Sequence, residues 1–277
     1  DERRARYLSG EIAVGAYRLR FTPETLALAE AIFGEAIAFA IDIYHRCIEG
    51  SAVDFEISMD ETDLSTTPEQ HYFVANELRL AGIPFVTLAP RFCGEFQKGV
   101  DYIGDLAQFD REIVVHAAIA DALGYKLSIH SGSDKFSVFA AIGRATGERF
   151  HAKTSGTSWL EAMRLVAQKE PALFRACYAY AQEVFTECRA YSHVSTELSM
   201  VPAIEAMPDD ALPTLLDRVP SRQLLHITYG KILNHPALRA PLFRLWRDCR
   251  DAYETLEKNH LARHLALLCP EHAIAPQ

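Results

Sequence analysis

The sequence lacks the features that mark membrane-spanning and disulfide-stabilised proteins. No apolar run reaches about 18 residues, the length needed to cross a bilayer as a helix. The six cysteines form no Cys-x-x-Cys pair and no disulfide-like cluster. No secretory signal is recognisable, and the opening Asp-Glu-Arg-Arg-Ala-Arg resembles the middle of a surface helix. We therefore expect a cytoplasmic protein and regard the chain as the C-terminal part of a longer polypeptide.

Linkers, repeats and basic clusters are also missing. No tract rich in proline, glycine and serine and no internal repeat divides the chain, which favours one catalytic domain over residues 1–277. The 28 lysines and arginines are scattered and are outnumbered by 37 acidic residues, which argues against nucleic acid and membranes as partners. An anionic small substrate is still compatible with this charge, because local cations decide its binding. The oligomeric state is not indicated.

Five apolar segments that end in polar or charged residues alternate with predicted helices. This alternation predicts a parallel sheet with crossover helices, and reactive groups at strand ends are typical of a (β/α) barrel. Five strands are too few for a closed eight-stranded barrel. We therefore predict a TIM-barrel-like α/β fold whose first strands lie upstream of this chain. The predicted strands lie within residues 54–61, 83–91, 126–130, 150–153 and 223–230.

Helix starts are marked by capping signals. Thr22 precedes Pro23, and a hydroxyl N-cap followed by proline is typical of a first helical turn. Capping boxes, with a hydroxyl residue three positions before Glu or Gln, are predicted at Thr67 and at Ser158.

The stretch from Leu127 to Lys135 carries the densest group of polar side chains. Its alternation brings His130 to the end of a predicted strand, followed by a Gly/Ser turn. Neutral imidazole is a good ligand for a divalent ion, so we predict that His130 binds metal and that Ser131, Asp134 and Lys135 contact the substrate. The alternative is a buried histidine, with Asp134 and Lys135 paired to hold the loop.

The other histidines are harder to interpret. His226 lies in an apolar predicted strand, where it either completes a metal site with His130 or is a core residue. His260 and His264 share one face of a charged terminal helix, for which we expect solvent exposure.

An acidic strand face is predicted around residues 53–61. Glu56, Ser58 and Asp60 alternate with apolar residues and so share one face. Carboxylates at a barrel mouth can bind a cation or move a proton from carbon, so Asp60 and Glu61 are the predicted catalytic pair. Glu56 is expected one layer deeper. The alternative for Asp60 and Glu61 is a capping role before the next helix.

Two cationic side chains also follow predicted strands. Lys153 precedes Thr-Ser-Gly-Thr and would either bind an anionic substrate group or act as a Schiff-base amine. Arg91 follows a strand that ends at Pro90 and suits bidentate binding of a carboxylate, unless it is an ordinary surface arginine. His151 alternates with Lys153 and is expected in the same cavity, one layer deeper.

Several of these blocks occur in the same order in a known family. The chain from about residue 50 onward resembles the tagaturonate epimerases of bacterial hexuronate catabolism. The resemblance is carried by Ile57–Thr62, Thr66–Phe73, Val86–Phe92, Gly99–Gly104, Leu127–Ser137 and Lys153–Thr157.

The resemblance implies an isomerase that interconverts D-tagaturonate and D-fructuronate with a divalent metal, of which Zn, Mn, Ni and Co are not distinguished. Family members are longer at the N-terminus, where a Gly- and Asp-rich segment ending in histidine contributes to the site. For such keto-hexuronates we expect proton abstraction next to the ketone through an enediolate, with a Lewis acid across the ketone and hydroxyl oxygens.

Two other functions compete with this interpretation. Phe150-His-Ala-Lys-Thr-Ser-Gly is similar to the strand that carries the Schiff-base lysine of deoxyribose-phosphate-type aldolases, so a class I aldolase using Lys153 is one alternative. A non-catalytic sugar-binding module is the other, although such a module does not need ionisable groups clustered at strand ends.

Overall fold

The computed structural model describes residues 2–62 and 64–270, which form a mixed α/β structure. This part of the chain divides into two compact units that alternate along the sequence. The predicted single domain over 1–277 is not tested by this division and stays a prediction. The first unit comprises the residues up to Glu95, Ile103–His130 and Ala140–Ala152, and the second comprises Phe96–Tyr102, Ser131–Phe139 and the residues from Lys153 onward.

The first unit contains a hairpin and a parallel sheet. The strands β1 (Glu11–Val14) and β2 (Tyr17–Arg20) pair antiparallel. The sheet consists of β3 (Glu56–Ser58), β4 (Thr87–Ala89), β5 (Lys126–Ile129) and β6 (Phe150–Ala152). The helices are α1 (Glu2–Leu8), α2 (Pro23–Ile43), α3 (Pro68–Leu80), α4 (Leu106–Leu123) and α5 (Phe136–Thr146, which begins in the second unit), and a π-helical turn spans Tyr44–Ile48.

The four strands are parallel and adjacent in chain order, β3-β4-β5-β6. Four of the five predicted strands are thereby confirmed, and the hairpin was not predicted. Consecutive parallel strands joined by helices expose all their carboxyl ends at one edge. The coarser fold prediction, α/β with a parallel sheet, is correct, but no closed barrel is found among the described residues.

Apolar side chains fix the sheet in the first unit. Ile57 and Met59 are buried on the face opposite the acidic residues of β3, while Leu88, Leu127 and Ile129 are buried in the central strands. The burial of an aliphatic side chain contributes roughly 1.5–3 kcal/mol, which sets the strand register. The predicted N-cap at Thr22 and the predicted capping box at Thr67, with Gln70 as its reciprocal partner, are present. Thr22 also forms a capping box with Thr25, which was not predicted.

The second unit is helical. Apolar side chains from several helices form its core, including Leu160, Phe174, Tyr178 and Leu242. No described helix of the chain is both long enough and apolar enough to span a membrane. The helices are α6 (Ser155–Lys169), α7 (Pro171–Arg189), α8 (Val219–Asn234), α9 (Pro236–Asp248) and α10 (Arg250–Leu268), with 3₁₀ turns at Leu198–Met200 and Asp209–Asp217.

Two sequence predictions for this unit are wrong. The fifth strand, predicted around 223–230, is part of α8, whose buried residues Leu224, Leu225, Thr228 and Ile232 follow helical spacing. An apolar run this short fits either a strand or a buried helix. The predicted capping box at Ser158 is absent, because α6 has already begun at Ser155.

Candidate functional site

Polar side chains form a hydrogen-bonded row across the sheet of the first unit. Oε2 of Glu56 on β3 accepts from Oγ1 of Thr87 on β4 at 2.6 Å. The same oxygen accepts from Oγ of Ser128 on β5 at 3.1 Å and from Nδ1 of His151 on β6 at 2.9 Å. One residue from each of the other three strands is therefore joined to the Glu56 carboxylate. Glu56 and His151 share a face, as the alternation predicted.

A second layer lies at the carboxyl end of the same face. His130 directly follows β5 and is 7% exposed, and its Nδ1 lies 3.5 Å from Oδ2 of Asp60. Ser58 donates a hydrogen bond to the other oxygen of Asp60. The His130 ring stacks on Phe92 with centroids 6.0 Å apart and planes 7° apart, which fixes the imidazole orientation. Asp60 and His130, predicted from separate strand ends, are thus brought together.

The other predicted residues of the first unit differ in their surroundings. Glu61 is exposed beside Asp60. Arg91 is half-buried, its guanidinium donates to the carbonyl of Thr62, and its backbone N–H donates to Oγ1 of Thr66 at 3.0 Å. Arg91 therefore holds the segment that carries Asp60 and Glu61.

In the second unit, Asp134 is the centre of a buried ion-pair network. Its carboxylate lies 2.6 Å from Nη2 of Arg222 and 2.6 Å from Nε2 of His260, and its backbone N–H donates to Nε2 of His264 at 3.0 Å. Burial opposes ionisation, but the hydrogen bond from His260 and the charge of Arg222 hold the pKa of Asp134 well below its usual range. The alternative considered for this loop, a pairing of Asp134 with Lys135, is replaced by these contacts.

The expected exposure of His260 and His264 is wrong, since both are buried on α10. Their partner Asp134 is 126 residues from His260 in sequence, so local sequence gave no signal of the network. Burial lowers the pKa of His264. Sequence reasoning also missed Arg222 as a partner of Asp134.

Asp134, His260 and His264 also form a potential metal-binding group, with one ligand atom of each within 4.8 Å of the others. Two contacts disfavour a cation there. Both ring nitrogens of His264 are engaged, because Nε2 accepts from Asp134 and Nδ1 lies 2.9 Å from the carbonyl of His260. The guanidinium of Arg222 already neutralises Asp134. We interpret the group as a hydrogen-bonded anchor for the loop after His130.

Lys135 is a second anchor of this loop. Its fully buried ammonium donates to the carbonyls of Gln97, Val100 and Ser133 at 2.9, 2.6 and 2.9 Å. These three acceptors match the three protons of an ammonium group. Burial lowers the pKa of Lys135 to about 8. These contacts favour a structural role over the predicted substrate contact.

His226 is packed tightly inside the second unit. A Cβ atom at Gly156 would lie 2.2 Å from Cε1 of His226, so only glycine fits there without a shift of the ring. Burial and the charges of Lys98 and Lys135 lower the pKa of His226 to about 4. The imidazole is neutral at pH 7, but cationic neighbours disfavour a metal ion beside it.

Two predicted residues remain. Lys153 directly follows β6 and is half-buried. Ser131 is half-buried and has φ of 46°, in the left-handed region that is uncommon for residues other than glycine. Asp134 shares this backbone property, with φ of 61°. Strained backbone of this kind persists where surrounding contacts fix it, and the Asp134 and Lys135 contacts do so here.

Comparison with known proteins assigns the chain to a family. The model of the tagaturonate epimerase family matches residues 1–268. The chain belongs to the tagaturonate epimerase family. The resemblance seen in the sequence is thereby confirmed, and the members of this family are isomerases.

Relatives from two bacteria support the assignment. The tagaturonate/fructuronate epimerase of Thermotoga maritima is 44% identical over 266 residues, which cover 95% of this chain and 55% of that protein. The crystal structure of the fructuronate-tagaturonate epimerase of Cohnella laeviribosi matches with a TM-score of 0.93 and 48% identity, over 96% of this chain and 56% of that chain. A complex of the same enzyme with two glycerol molecules matches with a TM-score of 0.93 and 47% identity, over 97% of this chain and 56% of that one. The chain therefore spans about half the length of these relatives.

Proposed function

We propose that this chain forms part of a metal-dependent epimerase that interconverts D-tagaturonate and D-fructuronate. The observation that carries the proposal is the pairing of Asp60 with His130 at 3.5 Å on the polar face of the sheet. Family membership supports the substrate class, because the relatives of known name act on these two sugar acids. The cytoplasm is the proposed location.

The metal is assigned to Asp60 and His130. Two ligands about 2.1 Å from an ion in tetrahedral geometry are about 3.4 Å apart, close to the Asp60–His130 separation. Carboxylate oxygen and imidazole nitrogen are also ligands that Zn, Mn, Co and Ni accept. The other predicted ligand, His226, is less suitable, because the positive charges of Lys98 and Lys135 disfavour a metal cation beside it. When bound, the ion would supply Lewis-acid stabilisation of negative charge on substrate oxygens.

The remaining roles follow from charge and position. Lys153, directly after β6, is proposed to bind the substrate carboxylate as an ammonium group. Arg91 is proposed to hold the segment with Asp60 and Glu61 through its contact with Thr62, in place of the predicted substrate contact. Glu61 is exposed next to Asp60 and stays the predicted group for proton transfer.

We further propose that the sheet belongs to a (β/α) barrel. Its four strands are parallel and adjacent in chain order, which is the arrangement of consecutive strands in such a barrel. The polar row at Glu56 would then face the barrel interior, and the Asp60–His130 layer would lie at its carboxyl end, where barrel enzymes carry their active sites.

The two alternatives are not favoured. The family matched by the chain consists of epimerases, which leaves the class I aldolase with one short sequence motif as support. A non-catalytic sugar-binding module does not explain a buried imidazole beside a carboxylate.

The proposal is tested by incubating the protein with D-fructuronate and Zn²⁺, Mn²⁺, Co²⁺ or Ni²⁺ and following the mixture by proton NMR. We expect D-tagaturonate to form. D-fructose is the matched control and should react much more slowly, because it has no carboxylate for Lys153. The absence of tagaturonate with all four metals would contradict the proposal.

A further inference from the structure

The Glu56–His151 pair has the arrangement of a base whose orientation is fixed by a carboxylate. Because Oε2 of Glu56 can only accept, Nδ1 of His151, 2.9 Å away, carries the proton. In the neutral ring the lone pair is then on Nε2, on the far side of the imidazole from Glu56. The His151 side chain is 46% exposed and Glu56 25%, so the histidine is the more accessible member.

The chemistry of the proposed substrates defines what such a base must do. Tagaturonate and fructuronate are epimers at C4, whereas their ketone is at C2. Proton abstraction next to the ketone, expected from the sequence, acts at C3 and cannot by itself invert C4. The hydrogen on C4 is not acidified by an adjacent carbonyl, so its direct removal by a side chain is unfavourable. The C4 hydroxyl, by contrast, is β to the ketone, which is the relationship required for aldol cleavage.

We propose that the site inverts C4 by breaking and re-forming the C3–C4 bond, with His151 as the base at the C4 hydroxyl. This inference rests on the proposed function. Nε2 of His151 removes the hydroxyl proton, and C4 becomes the aldehyde carbon of tartronate semialdehyde. The electron pair of the C3–C4 bond passes to C3 and the C2 oxygen, giving the enediolate of dihydroxyacetone. The aldehyde rotates, the enediolate adds to its other face, and the proton returns to the C4 oxygen.

Glu56 is a positioning residue in this scheme. It fixes the tautomer of His151 and stabilises the imidazolium that forms when Nε2 takes a proton, as carboxylates do for catalytic histidines elsewhere. Thr87 and Ser128 donate to the same oxygen and hold the carboxylate in place. In this scheme the enediolate would arise by carbon–carbon cleavage, and not by the proton abstraction next to the ketone that was expected from the sequence.

The direct test supplies dihydroxyacetone and tartronate semialdehyde to the metal-loaded protein and detects hexuronates by NMR. We expect both tagaturonate and fructuronate to form. During epimerisation in D₂O, we expect the substrate to keep its hydrogen at C4. A protein that epimerises fructuronate but makes no hexuronate from the two fragments would overturn this inference alone. A protein that does not epimerise at all would overturn the proposed function as well.

Variants test the two residues separately. His151→Ala should lower kcat about 100-fold or more, and added imidazole should restore part of the rate. Glu56→Gln should lower kcat about 10-fold with little change in KM. His45 and Glu49 form an exposed pair with the same Nδ1–carboxylate distance of 2.9 Å, so His45→Ala is the matched control and should be silent. Unchanged kcat in His151→Ala, or loss that imidazole does not rescue in a folded protein, would remove His151 from the mechanism.

Discussion

The hydroxyl oxygen of Tyr125 lies 2.6 Å from Nε2 of His71. Burial raises the pKa of Tyr125 well above its usual value, so the phenol stays protonated. Nδ1 of His71 lies 2.9 Å from Nδ1 of His116, so one of these two nitrogens donates a hydrogen bond and the other accepts it. A chain of hydrogen bonds thus runs from the start of β5 through α3 to α4, and burial, which lowers the pKa of both imidazoles, keeps them neutral at pH 7.

This chain predicts acid sensitivity. Burial lowers the pKa of His71 and lowers that of His116 to about 4, against about 6.5 in an unfolded chain. Their contribution to stability is complete above about pH 6.5 and is lost as the pH falls toward 4, because only the unfolded state takes up protons in that interval. Each histidine contributes a slope of up to about 1.4 kcal/mol per pH unit to the free energy of unfolding.

Urea unfolding at pH 7 and at pH 5 measures this loss of stability. In the His116→Leu variant the stability lost between pH 7 and pH 5 should be smaller than in the wild-type protein. In the His45→Leu variant, which changes an exposed histidine, it should be the same as in the wild-type protein. An equal loss in all three proteins would refute the assignment.

The buried ammonium of Lys135 predicts a large stability effect. Lys135→Met should lower the free energy of unfolding by about 3–5 kcal/mol, because three buried carbonyls lose their donor. Chemical denaturation at pH 7 measures the change. Lys258→Met, at an exposed position of α10, is the matched control and should leave the unfolding midpoint unchanged. A stable Lys135→Met protein would instead support the predicted substrate contact.

The metal assignment predicts which histidine controls metal content. His130→Ala should weaken metal binding at least about 100-fold while the protein stays folded. Residues that only hydrogen-bond to a metal ligand already change metal affinity about 10–100-fold, so the loss of a ligand should have at least as large an effect. His264→Gln should retain its metal, since both nitrogens of His264 are engaged within the protein. Metal titration after dialysis separates the two sites. The reverse pattern would transfer the metal to the Asp134 group.

Lys153 is predicted to act by charge and not by imine formation. Lys153→Arg should lower kcat/KM about 10-fold, mainly through KM, because the positive charge is kept while its geometry changes. A Schiff-base enzyme would be inactive after this change. Mass spectrometry after treatment with substrate and borohydride offers an independent check. A covalent adduct on Lys153 would favour the class I aldolase.

Sequence patterns predicted the sheet better than its surroundings. The alternation of acidic and apolar residues in β3 located Glu56 and Asp60 correctly, because a strand has only two faces. The segment around His226 was assigned to a strand because Leu-Leu-His-Ile-Thr has no distinctive period. In the structure it belongs to a 16-residue helix that buries one face.

Long-range partners could not be predicted. Asp134 meets Arg222 and His260, which are 88 and 126 residues away, and no local motif encodes such pairs. The same holds for Lys135, whose acceptors are backbone carbonyls and therefore independent of side-chain identity. The residue types in this loop predicted a functional role for Asp134 and Lys135. Their three-dimensional contacts indicate that both side chains anchor the loop.

We propose that hexuronate epimerisation depends on a metal held by Asp60 and His130. The most direct measurement is the rate of tagaturonate formation from D-fructuronate before exhaustive chelation, after it, and after metal is restored, with metal content determined in the same samples. We expect activity to fall with metal content, to return on addition of one divalent ion, and not to return in His130→Ala. Full activity in metal-free protein would contradict it.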